Sequence, residues 1–104
     1  MPKPDRVLQF LSLAQRAGKV MSGEFQTEST VKAGKAALVI LAEDASENTK
    51  KKFTDLCKYH EVPLCFYSDR EGLGRAIGKD FRASLAVSDP GFAEELVKKI
   101  TEVG

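Results

Sequence analysis

The stretch Leu38-Val39-Ile40-Leu41-Ala42 decides the fold of this chain. Its consecutive apolar residues include β-branched Val39 and Ile40, and the run is too short for a buried helix. Such a run is typical of a strand that is covered on both faces. We therefore predict that this strand lies at the centre of a sheet with helices packed on each side.

Helix and strand patterns alternate on both sides of this run. Alternation of this kind favours an α/β fold, a three-layer α/β/α sandwich with a small mixed sheet of about four strands, in one domain spanning residues 1–104. Further strands are predicted over 19–22, 64–67 and 84–87. Helices are predicted between Asp5 and Gly18, between Gly23 and Gly34, over Glu47–His60 and Arg70–Ile77, and after Asp89-Pro90.

The helix predicted over Glu47–His60 has one apolar stripe and one basic face. Ser46 can cap it, and Lys50, Lys51 and Lys52 are expected to face water. The stripe that should pack inward comprises Phe53, Leu56 and Cys57.

The cysteines and the single histidine do not form a convincing metal site. Cys57, His60 and Cys65 offer three ligands without a nearby fourth, whereas structural zinc sites use four. Buried or half-buried thiols are the better interpretation. We therefore predict no metal and no cofactor.

Charge is distributed unevenly along the chain although the formal net charge is only +1. Residues 1–36 hold six Lys/Arg against three Asp/Glu, while residues 37–104 hold ten against twelve. This places a basic excess in the N-terminal third, although an ordinary solvated surface can produce the same asymmetry. The sequence contains no readable secretory signal or membrane span, so we expect a cytoplasmic protein without a membrane partner.

Two further motifs could suggest an enzyme or a nucleotide-binding protein. Glu43-Asp44 follows the central strand, but acidic residues there more often bond free amides at a helix start. Gly72–Gly78 lacks the spacing of a dinucleotide-binding loop, and Gly78 is better explained as a helix stop. Neither these residues nor Cys65 completes a catalytic set, so we predict that the chain is not an enzyme.

The turn Ser22-Gly23-Glu24-Phe25-Gln26-Thr27 is the strongest candidate for a binding site. A helix start has free amides that can meet phosphate or a base edge, and Gly23 permits close approach. Gln26 offers a donor and an acceptor to a purine, and Phe25 could stack on a base. The alternative is purely structural, with Ser22 or Gly23 as cap, Gln26 as capping-box partner and Phe25 packed inward.

Three segments in order and at characteristic spacing carry a resemblance to a known family. They are Ala14–Lys19, Gly34–Asp44 and Leu73–Gly78. Over nearly its whole length the chain resembles the kink-turn RNA-binding ribosomal proteins, L7Ae and L30e, and the bacterial YlxQ-like members look most similar. The resemblance implies an α/β/α sandwich that binds structured RNA, with ribosomal RNA as one candidate partner.

The resemblance also implies which residues contact RNA. The start of the second helix would read tandem sheared G·A pairs in a sharply bent RNA, and the loop before the last strand would assist. In this sequence the implied residues are Ser22, Gly23, Glu24, Phe25, Gln26, Ser29 and Lys32, with Phe81, Arg82, Ala83 and Ser84 in the loop 79–84.

Several of these positions depart from the family's usual pattern. Ser22 and Ser29 stand where a basic residue is common, Phe25 stands where asparagine or lysine is usual, and Glu24 adds a negative charge. Fewer cations release fewer counterions, so we predict weaker binding than in more basic relatives. An alternative function is a protein-interaction adaptor on the same fold, with Phe25 and Phe81 as an exposed apolar patch and RNA binding weak or lost.

Overall fold

A computed structural model describes residues 5–103 of the protein. Helices and strands alternate along the described residues, as the sequence patterns predict, and most predicted bounds agree to within one or two residues. In chain order the elements are α1 (Arg6–Arg16), β1 (Val20–Ser22), α2 (Glu24–Lys32), β2 (Leu38–Leu41), α3 (Glu47–His60), β3 (Leu64–Phe66), α4 (Arg70–Ala76), β4 (Ser84–Val87) and α5 (Pro90–Val103).

The four strands form one mixed sheet in the order β1-β4-β2-β3. β2 runs parallel to β3, with Ile40 opposite Cys65, and antiparallel to β4, with Ile40 opposite Leu85. β1 pairs antiparallel with β4. Every residue of β2 is buried, which confirms that the apolar run forms a central strand.

Helices cover both faces of the sheet. Leu38 and Ile40 of β2 pack in one cluster with residues of α1, α4 and α5, while Val39 and Leu41 pack in another with residues of α2 and α3. This division follows from the alternation of side chains along a strand. Full burial of a side chain such as Phe53 stabilises the fold by roughly 1.5–3 kcal/mol. The predicted three-layer sandwich is confirmed.

Side-chain caps begin three of the helices where the sequence predicts them. The Leu8 amide donates to the Asp5 carboxylate at 3.0 Å, and the Thr49 amide donates to the Ser46 hydroxyl at 3.1 Å. The Phe92 amide likewise donates to Asp89 at 2.9 Å. Each bond satisfies an amide that the helix itself leaves free.

Close contact between α4 and the loop that follows it explains Gly74, one glycine of the segment 72–78. Gly74 is buried, and a Cβ at this position would lie 1.6 Å from the Asp80 carbonyl oxygen. Further along the loop, the Arg82 amide donates to the Arg70 carbonyl at 3.0 Å, and the Ala42 amide donates to the Ala83 carbonyl at 2.9 Å. Gly74 therefore allows the loop to pack between α4 and the end of β2.

Candidate nucleic-acid interface

The first turn of α2 lacks a side-chain cap. Gly23 is the N-cap residue, and its own amide donates to the Ser84 carbonyl at 3.0 Å. No side chain bonds the free amides of this helix start within the described residues. Of the structural alternative, the position of Gly23 at the N-cap is confirmed, whereas a Ser22 cap and a Gln26 capping box are wrong.

Gly23 leaves the space in front of these amides open. Its backbone has φ of 94° and ψ of 160°, a conformation that is essentially restricted to glycine. A Cβ placed on Gly23 would meet no described heavy atom within 4 Å. The amides of Glu24, Phe25 and Gln26 donate to no acceptor among residues 5–103, so this surface can receive an anionic or carbonyl oxygen.

The predicted binding residues of α2 lie on its outer face. Phe25 is 76% exposed, so the expectation that it could pack inward is wrong. Gln26, Ser29 and Lys32 are also exposed and continue the same helix. The inner face is anchored by Thr27 and Val31, which are both buried.

The loop before β4 is joined to the start of α2. The Arg82 guanidinium donates through Nε to the Ser22 hydroxyl at 3.3 Å and through Nη1 to the Phe81 carbonyl at 2.9 Å. The Phe81 ring is 66% exposed. Ser84 is buried in the sheet, and it contacts the turn through the carbonyl that accepts the Gly23 amide. The structure thus brings the start of α2 and the loop 79–84 together. Ala83 in this loop is half-buried.

Four alternating charges lie beside this surface and link α2 to α3. Lys52 Nζ is 3.3 Å from a Glu24 carboxylate oxygen and 2.7 Å from a Glu28 carboxylate oxygen. Lys32 Nζ is 2.7 Å from the other Glu28 oxygen. Hydrogen bonds from Lys32 and Lys52 lower the pKa of Glu28 to about 2, and the hydrogen bond to Glu28 raises the pKa of Lys52.

The charge network corrects one sequence prediction. Lys51 faces water, but Lys50 is half-buried and pairs with Glu47, and Lys52 turns toward α2. Its pairing with Glu24 also means that the Glu24 charge is not isolated at the helix start. Sequence reasoning missed Lys52 because its partner lies 28 residues away, beyond the range of any helical spacing.

Asp44 has the structural role that was predicted for an acidic residue before a helix, although the helix concerned is α4. Its carboxylate accepts the Arg70 amide at 2.8 Å and lies 3.4 Å from Arg70 Nε. Burial raises the pKa of Asp44, but the hydrogen bonds and charge of Arg70 outweigh this and hold it below the usual value. Glu43 beside it is exposed.

The two cysteines lie in different parts of the core. Cys57 packs with α2 and α3, whereas Cys65 packs against the cluster on the opposite face of the sheet. Burial raises the pKa of both thiols, that of Cys57 to about 11. Over the described part of the chain, no three His, Cys, Asp or Glu side chains are placed to hold a metal ion. Nor does any helix in residues 5–103 have the length and apolar character to cross a membrane.

The sequence of the chain is that of a known protein family. The model of the ribosomal protein L7Ae/L30e/S12e/Gadd45 family matches residues 5–97. The chain therefore belongs to this family, as the three sequence segments predict.

Individual relatives cover most of the chain. The RNA-binding protein YlxQ of Bacillus subtilis (strain 168) is 49% identical over 87 residues, which are 84% of this chain and 87% of that protein. The RNA-binding protein YlxQ of Enterococcus faecium is 42% identical over 92 residues, which are 86% of each chain. The predicted similarity to bacterial YlxQ-like members is confirmed.

Solved structures agree with the fold. A protein of unknown function from Bacillus halodurans C matches with a TM-score of 0.91 and 40% identity, covering 94% of this chain and 99% of that one. The Giardia lamblia 15.5kD RNA binding protein matches with a TM-score of 0.77, covering 94% and 87%. At 23% identity this second likeness shows a shared fold alone.

Proposed function

We propose that this chain binds sharply bent RNA containing sheared G·A pairs, as a single RNA-binding domain of residues 1–104 that works in the cytoplasm without catalysing a reaction. The observation that carries the proposal is the hydrogen-bonded contact between the uncapped start of α2 and the loop 79–84. Free amides and an exposed Gln26 lie in the first turn of α2, and the Arg82 guanidinium bonds to Ser22 just before that turn. The names of the YlxQ relatives, RNA-binding proteins, support the RNA-binding part of the proposal.

Each group has a distinct task in this proposal. Gly23 lets the RNA backbone approach the first-turn amides, which point toward phosphate or base oxygens. Gln26 donates to and accepts from purine edges at the G·A pairs, while Arg82 contacts phosphate. Phe25 and Phe81 stack on unpaired bases. Ser22 and Ser29 contribute little charge, so shape and purine edges account for most of the selectivity.

Titration of a kink-turn RNA at near-physiological salt tests the proposal. We expect the chain to bind this RNA more tightly than a matched RNA whose G·A pairs are replaced by Watson–Crick pairs, because only the former has the bend and exposed purine edges. Calorimetry or a gel shift measures both dissociation constants. Equal binding to the two RNAs would refute the proposal.

Two substitutions distinguish base-edge recognition by Gln26 from phosphate contact by Arg82. Gln26→Ala should remove most of the discrimination between the two RNAs, because base-edge contacts carry sequence information. Arg82→Ala should weaken the binding of both RNAs by a similar factor, because a phosphate contact does not depend on the bases. Gln9→Ala on α1 and Lys98→Ala on α5 are the matched controls and should leave both affinities unchanged. Undiminished discrimination in Gln26→Ala would exclude the proposed position of the site.

The exposure of two phenylalanine rings favours a second candidate function, that of a protein-interaction adaptor. Phe25 and Phe81 are 76% and 66% exposed at the start of α2 and in the loop joined to it. Aromatic side chains exposed on a surface can anchor a protein partner. If the adaptor function is correct, a Phe25→Ser, Phe81→Ser double variant should lose captured proteins, and its weak kink-turn RNA affinity should equal that of the wild type. Loss of RNA binding alone would favour the RNA function.

A further inference from the structure

We propose that Lys52 of α3 is a positioning residue for the RNA surface, which it serves by holding the Glu24 carboxylate away from the first-turn amides of α2. This inference rests on the proposed function. Lys52 acts through Glu24, so its own ammonium group need not contact the RNA. The consequence is that a residue of α3 keeps the start of α2 available to an anion.

The distances place Lys52 between two carboxylates of α2. Its Nζ is 3.3 Å from Glu24 and 2.7 Å from Glu28. Glu28 has a second cation, Lys32, at 2.7 Å, whereas Glu24 pairs with no other cation in residues 5–103. Removal of the Lys52 charge would therefore release Glu24 much more than Glu28.

The position of Glu24 explains why releasing its carboxylate from Lys52 would affect RNA binding. It is the first residue of α2 and directly follows Gly23, which has no side chain to cap the helix. The free amides and the helix dipole attract a nearby carboxylate, and they are the groups that a phosphate or base oxygen would use. A released Glu24 would compete with the RNA for these amides and repel its phosphates. Lys52 offers that carboxylate a different partner on α3.

The first experiment measures kink-turn RNA affinity of the full chain at low salt. Lys52→Met should weaken binding about fivefold, because the released Glu24 carboxylate competes for the amides and its repulsion of phosphate is little screened at low salt. Lys52→Arg should restore binding to within about twofold, since the cation is retained. The matched control is Lys51→Met, which removes the same charge from a neighbouring side chain that is 81% exposed and paired within α3 to Asp55.

A second substitution distinguishes positioning from direct phosphate contact. Adding Glu24→Gln to Lys52→Met should return the affinity to within about twofold of the wild type, because no carboxylate is left to compete. Affinity that stays low in this double variant would show that Lys52 contacts the RNA itself, and would overturn the inference. So would an unchanged affinity in Lys52→Met.

An RNA-free measurement separates this inference from the proposed function. NMR spectroscopy compares the backbone amide resonances of Phe25 and Gln26 with and without Glu24→Gln, in the wild-type chain and in Lys52→Met. We expect Glu24→Gln to shift them clearly only in Lys52→Met, where the carboxylate reaches the amides. Equal shifts in both backgrounds would refute the positioning of Glu24 even if RNA binds. Failure of the wild-type chain to bind the kink-turn RNA would refute the proposed function, and with it the role of Lys52 toward RNA.

Discussion

Single residues decide whether the start of α2 can be approached. Gly23 combines a glycine-only backbone conformation with open space where a side chain would stand. A Ser, Thr, Asp or Asn side chain at an N-cap position bonds a first-turn amide. Gly23 has no such side chain, and Phe25 lies on the outside of the helix. The Phe25 side chain therefore projects into solvent while the first-turn amides stay accessible.

Gly23→Ala should reduce both stability and RNA binding, whereas Gly34→Ala should reduce stability alone. Both glycines have positive φ, 94° and 73°, and a Cβ at either would meet no described heavy atom within 4 Å. The strained backbone should therefore lower the free energy of unfolding by about 1–3 kcal/mol in each variant. Only the methyl group on Gly23 would stand between the amides and the RNA. Urea unfolding and kink-turn titration measure the two effects, and equal RNA affinities for the two variants would contradict this account.

Contacts between elements determine the shape of the surface. The loop 79–84 packs against α4 at Gly74 and bonds to the start of α2 through Arg82 and Ser22. A change inside α4 can therefore move the loop although it lies in a different element from the proposed RNA contacts. The Asp44 bond to the Arg70 amide fixes the other end of the same region, where α4 begins.

Gly74→Ala should destabilise the fold and weaken RNA binding through the loop. The new Cβ would lie 1.6 Å from the Asp80 carbonyl oxygen, so either α4 or the loop must shift. Overpacking of this kind lowers the free energy of unfolding by about 1–3 kcal/mol. Thermal unfolding and RNA titration below the unfolding transition measure the two effects.

Gly91→Ala in α5 provides the control for this substitution. Among the described residues, its Cβ would come closest to the Asp89 carboxylate oxygen that caps α5, at 3.1 Å, and a small shift of this oxygen relieves the contact while keeping the cap. The free energy of unfolding should change by less than about 1 kcal/mol, since alanine is the better helix former. RNA binding should be unaffected. A Gly74→Ala variant as stable as Gly91→Ala would show that the loop adapts without cost.

At the scale of the whole molecule, charge is close to balanced. The formal net charge is +1, and two of the cations near α2, Lys32 and Lys52, already pair with Glu28. Few cations are therefore left to release counterions from RNA. Binding by this molecule should depend on the fit between its surface and a bent RNA more than on long-range attraction.

The salt dependence of RNA binding should be correspondingly shallow. For about three phosphate contacts, log affinity should fall with log salt concentration at a slope of roughly −2 to −3. Fluorescence anisotropy between low and physiological salt measures this slope. Ser29→Lys, which adds a cation to the exposed face of α2, should make the slope steeper by about one. A wild-type slope of about −6 or steeper would indicate non-specific electrostatic binding instead.

Local patterns in the sequence were sufficient for the order of the elements, the central strand, the caps at Asp5 and Ser46, and the family. Helix periodicity, strand alternation and capping act between residues a few positions apart, so they can be recognised without coordinates. Family membership indicated which segments to examine for RNA contacts. It did not determine how their side chains are arranged.

Only the tertiary structure decided how the surface is assembled. Lys52 and Glu24 are 28 residues apart, and Arg82 and Ser22 are 60 apart. Whether such groups meet depends on how helices and loops pack on the sheet, which no local periodicity reports. The same holds for the outward direction of Phe25 and for the contact between Gly74 and Asp80. The helix start was thus predictable as an element, while the pairing of its Glu24 carboxylate with Lys52 follows from packing between distant parts of the chain.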